Sequence, residues 1–271
     1  MESDQLDQDR IFAPFDALFR RIRKEHVVRL IETNFKMFRR RKTMRAIAAF
    51  IFLFVASSVG AAPATYVFTI NTEDAAGYAE WMRSNSEGLG SASGAKELGL
   101  CIPKAGAEKT GDLYGYARYD SMSEALAVDF NSESFRAEIA KNTVPRVLSA
   151  MDVWSVVHPF PGQAQVGQKT TATAFFVKSD DLKNYVKAIS AVESAYRSNG
   201  FEDFAMQVAT PYTGDYTGKV FVMIAAPNGE RLGAALDAMN ERWAVGPVQK
   251  AQRMRTPVRG FAMDCEVAYV K

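Results

Sequence analysis

Tyr114 and Tyr116 alternate with Gly115, and Arg118 follows at the same spacing. On a strand, all three side chains project from one face, because successive residues point to opposite sides. Two phenols and a guanidinium on one face suit a pocket wall, with rings for an apolar or aromatic ligand and donors to orient it. Other chemistry is scarce. No Gly-rich phosphate loop follows a strand, and no nucleophile elbow is present. No His, Cys, Asp and Glu spacing suits a metal. His158 precedes Pro159, which ends a strand pattern, so it reads as a surface or seam residue. As a general base it needs a partner within hydrogen-bond reach, and the sequence nominates none. Arg253, Arg255 and Arg259 make a small basic group, read as a solvated face or an anion contact. Catalytic residues are therefore unknown.

The elements that must position these side chains are written twice. An offset of 107 residues, without a gap, places Phe68 on Phe175, Asp74 on Asp181 and Tyr78 on Tyr185; it also places Gly111 on Gly218, Arg146 on Arg253 and Trp154 on Phe261. Such self-similarity marks a repeated structural unit. Each half reads strand, helix, strand, strand, helix, strand. The first strands are residues 66–71 and 171–178. Helices follow, opened by a Thr72 hydroxyl with Glu73 and Asp74 in the first turn, and by 179–181 in the second half. The second-half helix carries Leu182, Tyr185, Val186, Ile189, Val192 and Tyr196 as one apolar stripe. Hairpins follow, 98–103 with 113–119 and 204–210 with 219–225, joined by Gly-rich turns at 105–111 and 213–218. Ser121 and Glu124 form a capping box, and Asn228 caps the counterpart helix. The closing strands are 153–160 and 260–270.

The offset also sorts the candidates. Tyr114, Tyr116 and Arg118 fall on Phe221, Met223 and Ala225, a plain core face, so a single site belongs in the first half. Tyr78 falls on Tyr185 inside the apolar stripe, a structural position. Trp81 falls on Ala188, just off that stripe, which frees its ring for a pocket.

The formal charge of +2 over 271 residues is an average of unlike parts. Residues 1–63 hold 12 Lys and Arg against 7 Asp and Glu, whereas 64–271 hold 21 against 24. The mildly acidic remainder argues against a nucleic-acid partner. Residues 46–56 are an unbroken apolar run, preceded by Arg39, Arg40, Arg41, Lys42 and Arg45 and followed by small residues. That order is a secretory signal, with a retained membrane anchor as the alternative. The domain reading is a basic extension at 1–43, a signal or anchor at 44–64, and repeats at 65–162 and 168–271. The extension reads either as an over-extended start or as a basic amphipathic helix on a membrane face. The expected location is periplasmic or secreted, with membrane contact only through the N-terminal segment.

The segment YARYDSMSEALAVDFNSESFRAEIAK, residues 116–141, resembles antibiotic-biosynthesis-monooxygenase halves of the dimeric α/β-barrel superfamily. The resemblance implies an α+β fold: two tandem ferredoxin-like βαββαβ repeats forming one dimeric-type α/β barrel within a single chain. It also implies a pocket at Asn71, Trp81, Tyr114, Tyr116 and Arg118. Haem-degrading members carry an Asn on the first strand and a Trp and a His around the second helix. Asn71 matches the Asn, but Asp129 and Ile139 stand at the other two positions. The reading therefore calls for no cofactor and no metal. In such a barrel the second strand of one unit runs beside the fourth of the other, which implies a Cys101–Cys265 disulfide, in keeping with an oxidising compartment. The opposite seam would set His158 beside Val208. Internal duplication supplies the partner that single-unit relatives obtain by pairing, so a monomer or weak homodimer is expected. Three functions follow: a binding protein for a small apolar or aromatic molecule, a cofactor-independent monooxygenase-like enzyme, or a structural or assembly protein without a ligand site.

Overall fold

The structure, a computed structural model, describes residues 61–271, so the expectations for 1–43 and for most of 44–64 lie outside the described residues. The first half runs β1 (Ala64–Asn71), α1 (Ala75–Ser93), β2 (Glu97–Ala105), β3 (Asp112–Tyr119), α2 (Met122–Leu126), α3 (Glu133–Ala140) and β4 (Val147–His158). The second runs β5 (Lys169–Lys178), α4 (Leu182–Arg197), β6 (Ala205–Pro211), β7 (Val220–Ala226), α5 (Gly229–Asp237), α6 (Val245–Arg253) and β8 (Thr256–Val270). The strands close into a barrel in the order β1-β3-β2-β8-β5-β7-β6-β4, antiparallel at every step. Exchanging β1 to β4 for β5 to β8 leaves this cyclic order unchanged. Closure removes every lateral sheet edge along the paired register.

Strand alternation creates three cores. On β5, Ala172, Ala174 and Phe176 point into the barrel, and Phe175 and Val177 point out under the helices. One outer layer lies between α1, α3 and the first-half strands, a second between α4, α6 and the second-half strands. The stripe on α4 supplies the second: Tyr185, Ile189, Val192 and Tyr196 are buried. Burying an aliphatic side chain of this size contributes roughly 1.5–3 kcal/mol.

One helix cap differs from expectation by two residues. Asp74, rather than Thr72, and Asp181, within the expected 179–181, accept the first free N–H groups, from Gly77 and Asn184 at 2.7 and 3.1 Å. A carboxylate directly before the first turn reaches those donors. Thr72 instead donates to the Pro145 carbonyl at 2.7 Å, tying the end of β1 to the approach to β4. Ser121 and Asn228 do cap α2 and α5, at 3.1 and 2.9 Å. β4 and β8 begin earlier than expected, at Val147 and Thr256, and β4 ends at His158.

The 107-residue offset persists at Gly111 and Gly218, both turn glycines with φ of 86° and 79°. It is not free of gaps. Tyr116 pairs with Gly99, whereas its counterpart Met223 pairs with Gln207, so β2 and β6 are related by 108 residues. One extra residue enters the second half between α4 and β6.

Candidate functional site

The barrel interior is filled. Trp154, Phe176, Phe221 and Phe261 from four strands meet there, with ring centroids 4.8–6.3 Å apart. Tyr114 joins them, 5.6 Å from Phe261. Burial pushes its phenol up to about 12, so Tyr114 serves as a neutral hydroxyl.

Tyr116 and Arg118 share this inward face and converge on Glu97, a buried carboxylate that composition and spacing did not single out. The Tyr116 hydroxyl donates to Glu97 Oε1 at 3.1 Å, and Arg118 Nη2 lies 2.8 Å from Oε2. The Tyr116 ring crosses directly over Gly99, where a Cβ would sit 2.3 Å from the hydroxyl oxygen. Burial, and then the Glu97 charge, pushes the Tyr116 phenol well above its ordinary value. This trio closes one end of the interior. At the other, Glu108 accepts from Tyr216 and pairs with Arg259, which also donates to the Gly106 carbonyl. Each tyrosine donates to a carboxylate, so neither is poised as a nucleophile or base.

The remaining two pocket candidates stand elsewhere. Trp81 is buried in the outer layer, 5.1 Å from Tyr78, with the Arg146 guanidinium 5.7 Å above its ring. The sheet separates it from Tyr114 and Tyr116. Asn71 donates to Asp112 Oδ1 and to the Thr110 carbonyl, each at 2.9 Å, and so fastens β1 to the β2–β3 turn. The structure therefore does not gather Asn71, Trp81, Tyr114, Tyr116 and Arg118 around one space. The three arginines near the chain end do not act together either: Arg259 is engaged with Glu108, and Arg255 lies over the Phe175 ring at 5.2 Å.

Cys101 and Cys265 are bonded across the β2–β8 seam. At the β4–β6 seam His158 stands opposite Val208. It has the partner that sequence reading missed: Nε2 lies 2.9 Å from Glu193 Oε2. Glu193 Oε1 accepts from the Met206 amide at 2.9 Å. Glu193 thus ties α4 to β4 through His158 and to β6 through the Met206 amide, and the geometry is that of a structural clasp.

Open space lies on the outer face of the barrel. A cleft of about 410 Å³ runs between α1 and the turn before α5, over the outer faces of β2, β8 and β5. Ala79, Met82, Leu100, Ile102 and Ala268 give it an apolar floor and wall. Charged groups form its rim. Arg83 makes a two-pronged contact with Glu266, at 2.8 and 3.1 Å, which holds that carboxyl below its usual range. Lys104 lies 3.2 Å from Asp264, which also accepts from the Thr171 hydroxyl at 2.7 Å. Lys169, 4.0 Å from Glu266 and largely exposed, is the most loosely held cation of the rim. Among the described residues no three metal-ligating side chains converge, and no helix is long and apolar enough to cross a membrane.

No family model matches this chain, and no curated protein does. Solved structures are similar in shape. A candidate monooxygenase from Lactobacillus acidophilus NCFM matches at TM-score 0.53 and 11% identity, over 77% of this chain and 95% of that one. An anthrone oxidase-like protein matches at TM-score 0.47 and 11% identity, over 78% and 93%. A heme-binding protein from Thermus thermophilus matches at TM-score 0.45 and 9% identity, over 76% and 91%. The first likeness shows the fold alone: a mixed α+β chain built on an eight-stranded antiparallel barrel.

Proposed function

We propose that this chain is an exported binding protein for a small apolar or aromatic molecule, held in the outer cleft between α1 and the turn before α5. The observation that carries the reading is the cleft itself. Its volume lies within the range of small-molecule sites, and an apolar floor under a charged rim is their usual composition. In the barrel interior, by contrast, the rings of Trp154, Phe176, Phe221 and Phe261 pack against one another. We read the halves, 65–162 and 168–271, as tandem ferredoxin-like units. On that reading α1 and α5 belong to different units, and the cleft is the gap that two helical layers leave where their sheets join. Residues 44–64 act as the export signal or anchor, and the molecule works as a monomer or weak homodimer without cofactor or metal.

A second reading, a structural or assembly protein without a ligand site, is favoured by that same filled interior. The cofactor-independent oxygenase reading has the fold alone in its favour, and fold does not choose chemistry.

Titration of the purified protein with a panel of fluorinated aromatic and aliphatic compounds, followed by ¹⁹F NMR, tests the proposal. Saturable binding is expected, weakened at least tenfold by Ile102→Trp, which fills the cleft from its floor. Absence of binding across the panel favours the structural reading, and equal binding by the variant removes the cleft as the site. Oxygen uptake with any bound quinol or polyphenol would establish the enzyme.

A further inference from the structure

Tyr216 enters the barrel interior from a turn and not from a strand. It sits between β6 and β7, where Thr213, Gly214, Asp215, Thr217 and Gly218 are all exposed. From there it reaches inward and lies flat on Phe176, ring centroids 3.7 Å apart and planes 8° from parallel. Its hydroxyl meets two groups from other elements. Glu108, from the β2–β3 turn, accepts its hydrogen bond, and Arg259 Nη1, from β8, lies 3.4 Å away as a donor. Tyr114 and Phe261 stand behind. The position 107 residues earlier is Lys109, whose amide binds Asp112 in the first-half turn and which places no ring in the barrel. The insertion is therefore a feature of one half and not a requirement of barrel closure.

We propose that this slot at the barrel mouth is a second binding site, distinct from the outer cleft, for a planar phenol, and that the Tyr216 side chain fills it as an internal substitute. The parts match that ligand class. Phe176 gives a flat aromatic face, Glu108 accepts a hydroxyl proton, and Arg259 donates to the hydroxyl oxygen. An aliphatic ligand would forfeit the stacking, and an unsubstituted arene would forfeit the hydroxyl's hydrogen bond to Glu108, leaving that carboxylate only its contact with Arg259. The turn residues around Tyr216 are exposed, so the ring can withdraw without disturbing the ladder between β6 and β7. Ligand affinity is then reduced by the fraction of time the slot is closed.

The full-length protein, titrated calorimetrically with p-cresol, tests this. Wild-type chain is expected to bind saturably, and Tyr216→Ala at least tenfold more tightly, because the internal competitor is gone. Glu108→Gln should weaken p-cresol more than it weakens toluene. A cooperatively folded Tyr216→Ala that binds no p-cresol, or binds it with wild-type affinity, overturns the proposal. Should Tyr216→Ala fail to fold, the wild-type chain decides: nitration of Tyr216, mapped by mass spectrometry, should rise at saturating p-cresol. Unchanged nitration overturns the site. Repeating the measurement with Ile102→Trp separates the two sites, since loss of the effect there would assign p-cresol to the outer cleft.

Discussion

Cys101 and Cys265, 164 residues apart in sequence, are direct partners across the β2–β8 seam, with their α-carbons 4.0 Å apart and their sulfurs bonded. The bond closes a loop that contains most of the barrel. In the chain-entropy account, a loop of that length stabilises by about 5 kcal/mol, an upper figure because unfolded chains keep residual structure. Urea unfolding with and without reductant, and of the Cys101→Ser/Cys265→Ser variant, should show a matching fall in midpoint. An unchanged midpoint on reduction would mean that β2–β8 pairing alone holds the seam.

Glu193 is the buried charge on which the opposite seam depends. Glu193→Ala leaves the Met206 amide and the His158 ring without their partner. A buried donor left unsatisfied costs about 1–3 kcal/mol, and two are exposed to that loss here. Glu193→Gln keeps an acceptor for the Met206 amide and should lose roughly half as much. Chemical denaturation of the two variants distinguishes them; equal losses would show that the charge, and not the acceptor, matters.

Gly99 carries the Tyr116 ring over its bare α-carbon. Gly99→Ala should drive the ring away and break its hydrogen bond to Glu97, at a cost of about 1–3 kcal/mol for overpacking. Thermal melts of Gly99→Ala, in the native background and with Tyr116→Leu, check the assignment. Tyr116→Leu removes the whole ring that the new methyl would meet, so Gly99→Ala should cost less in that background. An equal cost would place the strain elsewhere.

The tyrosines set an alkaline limit to stability. Burial raises Tyr78, Tyr114, Tyr119 and Tyr196 to about 12, against an ordinary value near 10. A group whose folded value is raised supports folding below its unfolded value and loses that support as pH climbs through the folded one. Stability should therefore be flat from about pH 8 to 9.5 and fall steeply between about pH 10 and 12. Phenolate absorbance should rise together with loss of tertiary circular dichroism. Ionisation of most tyrosines near their ordinary value in a chain that stays folded would contradict their burial.

Much of the fold was legible because its signals are local. Caps at Ser121 and Asn228, the α4 stripe and the turn glycines at 111 and 218 each depend on a few neighbouring residues. The slip of one residue between β2 and β6 was not legible, because only cross-strand pairing reveals register. The candidate site was legible in part. Alternation on β3 put Tyr114, Tyr116 and Arg118 on one face, and that face does point inward.

The sequence by itself determined the order of the eight strands and the first helix of each half, and the shared face of β3; its pattern reads as one helix where the chain forms two between β3 and β4 and again between β7 and β8. Tertiary structure decided what those side chains meet. Strand alternation separates two faces without saying which one a closing barrel turns inward, nor what fills the space behind it. Glu97 and Glu193 read as ordinary charged residues until folding brings Arg118 and His158 to them. Trp81 and Tyr116 are separated by the thickness of a sheet, a distance that no spacing along the chain records. Tyr216 reads as one residue of an exposed Gly-rich turn, and only Phe176, far earlier in the chain, draws its ring into the barrel.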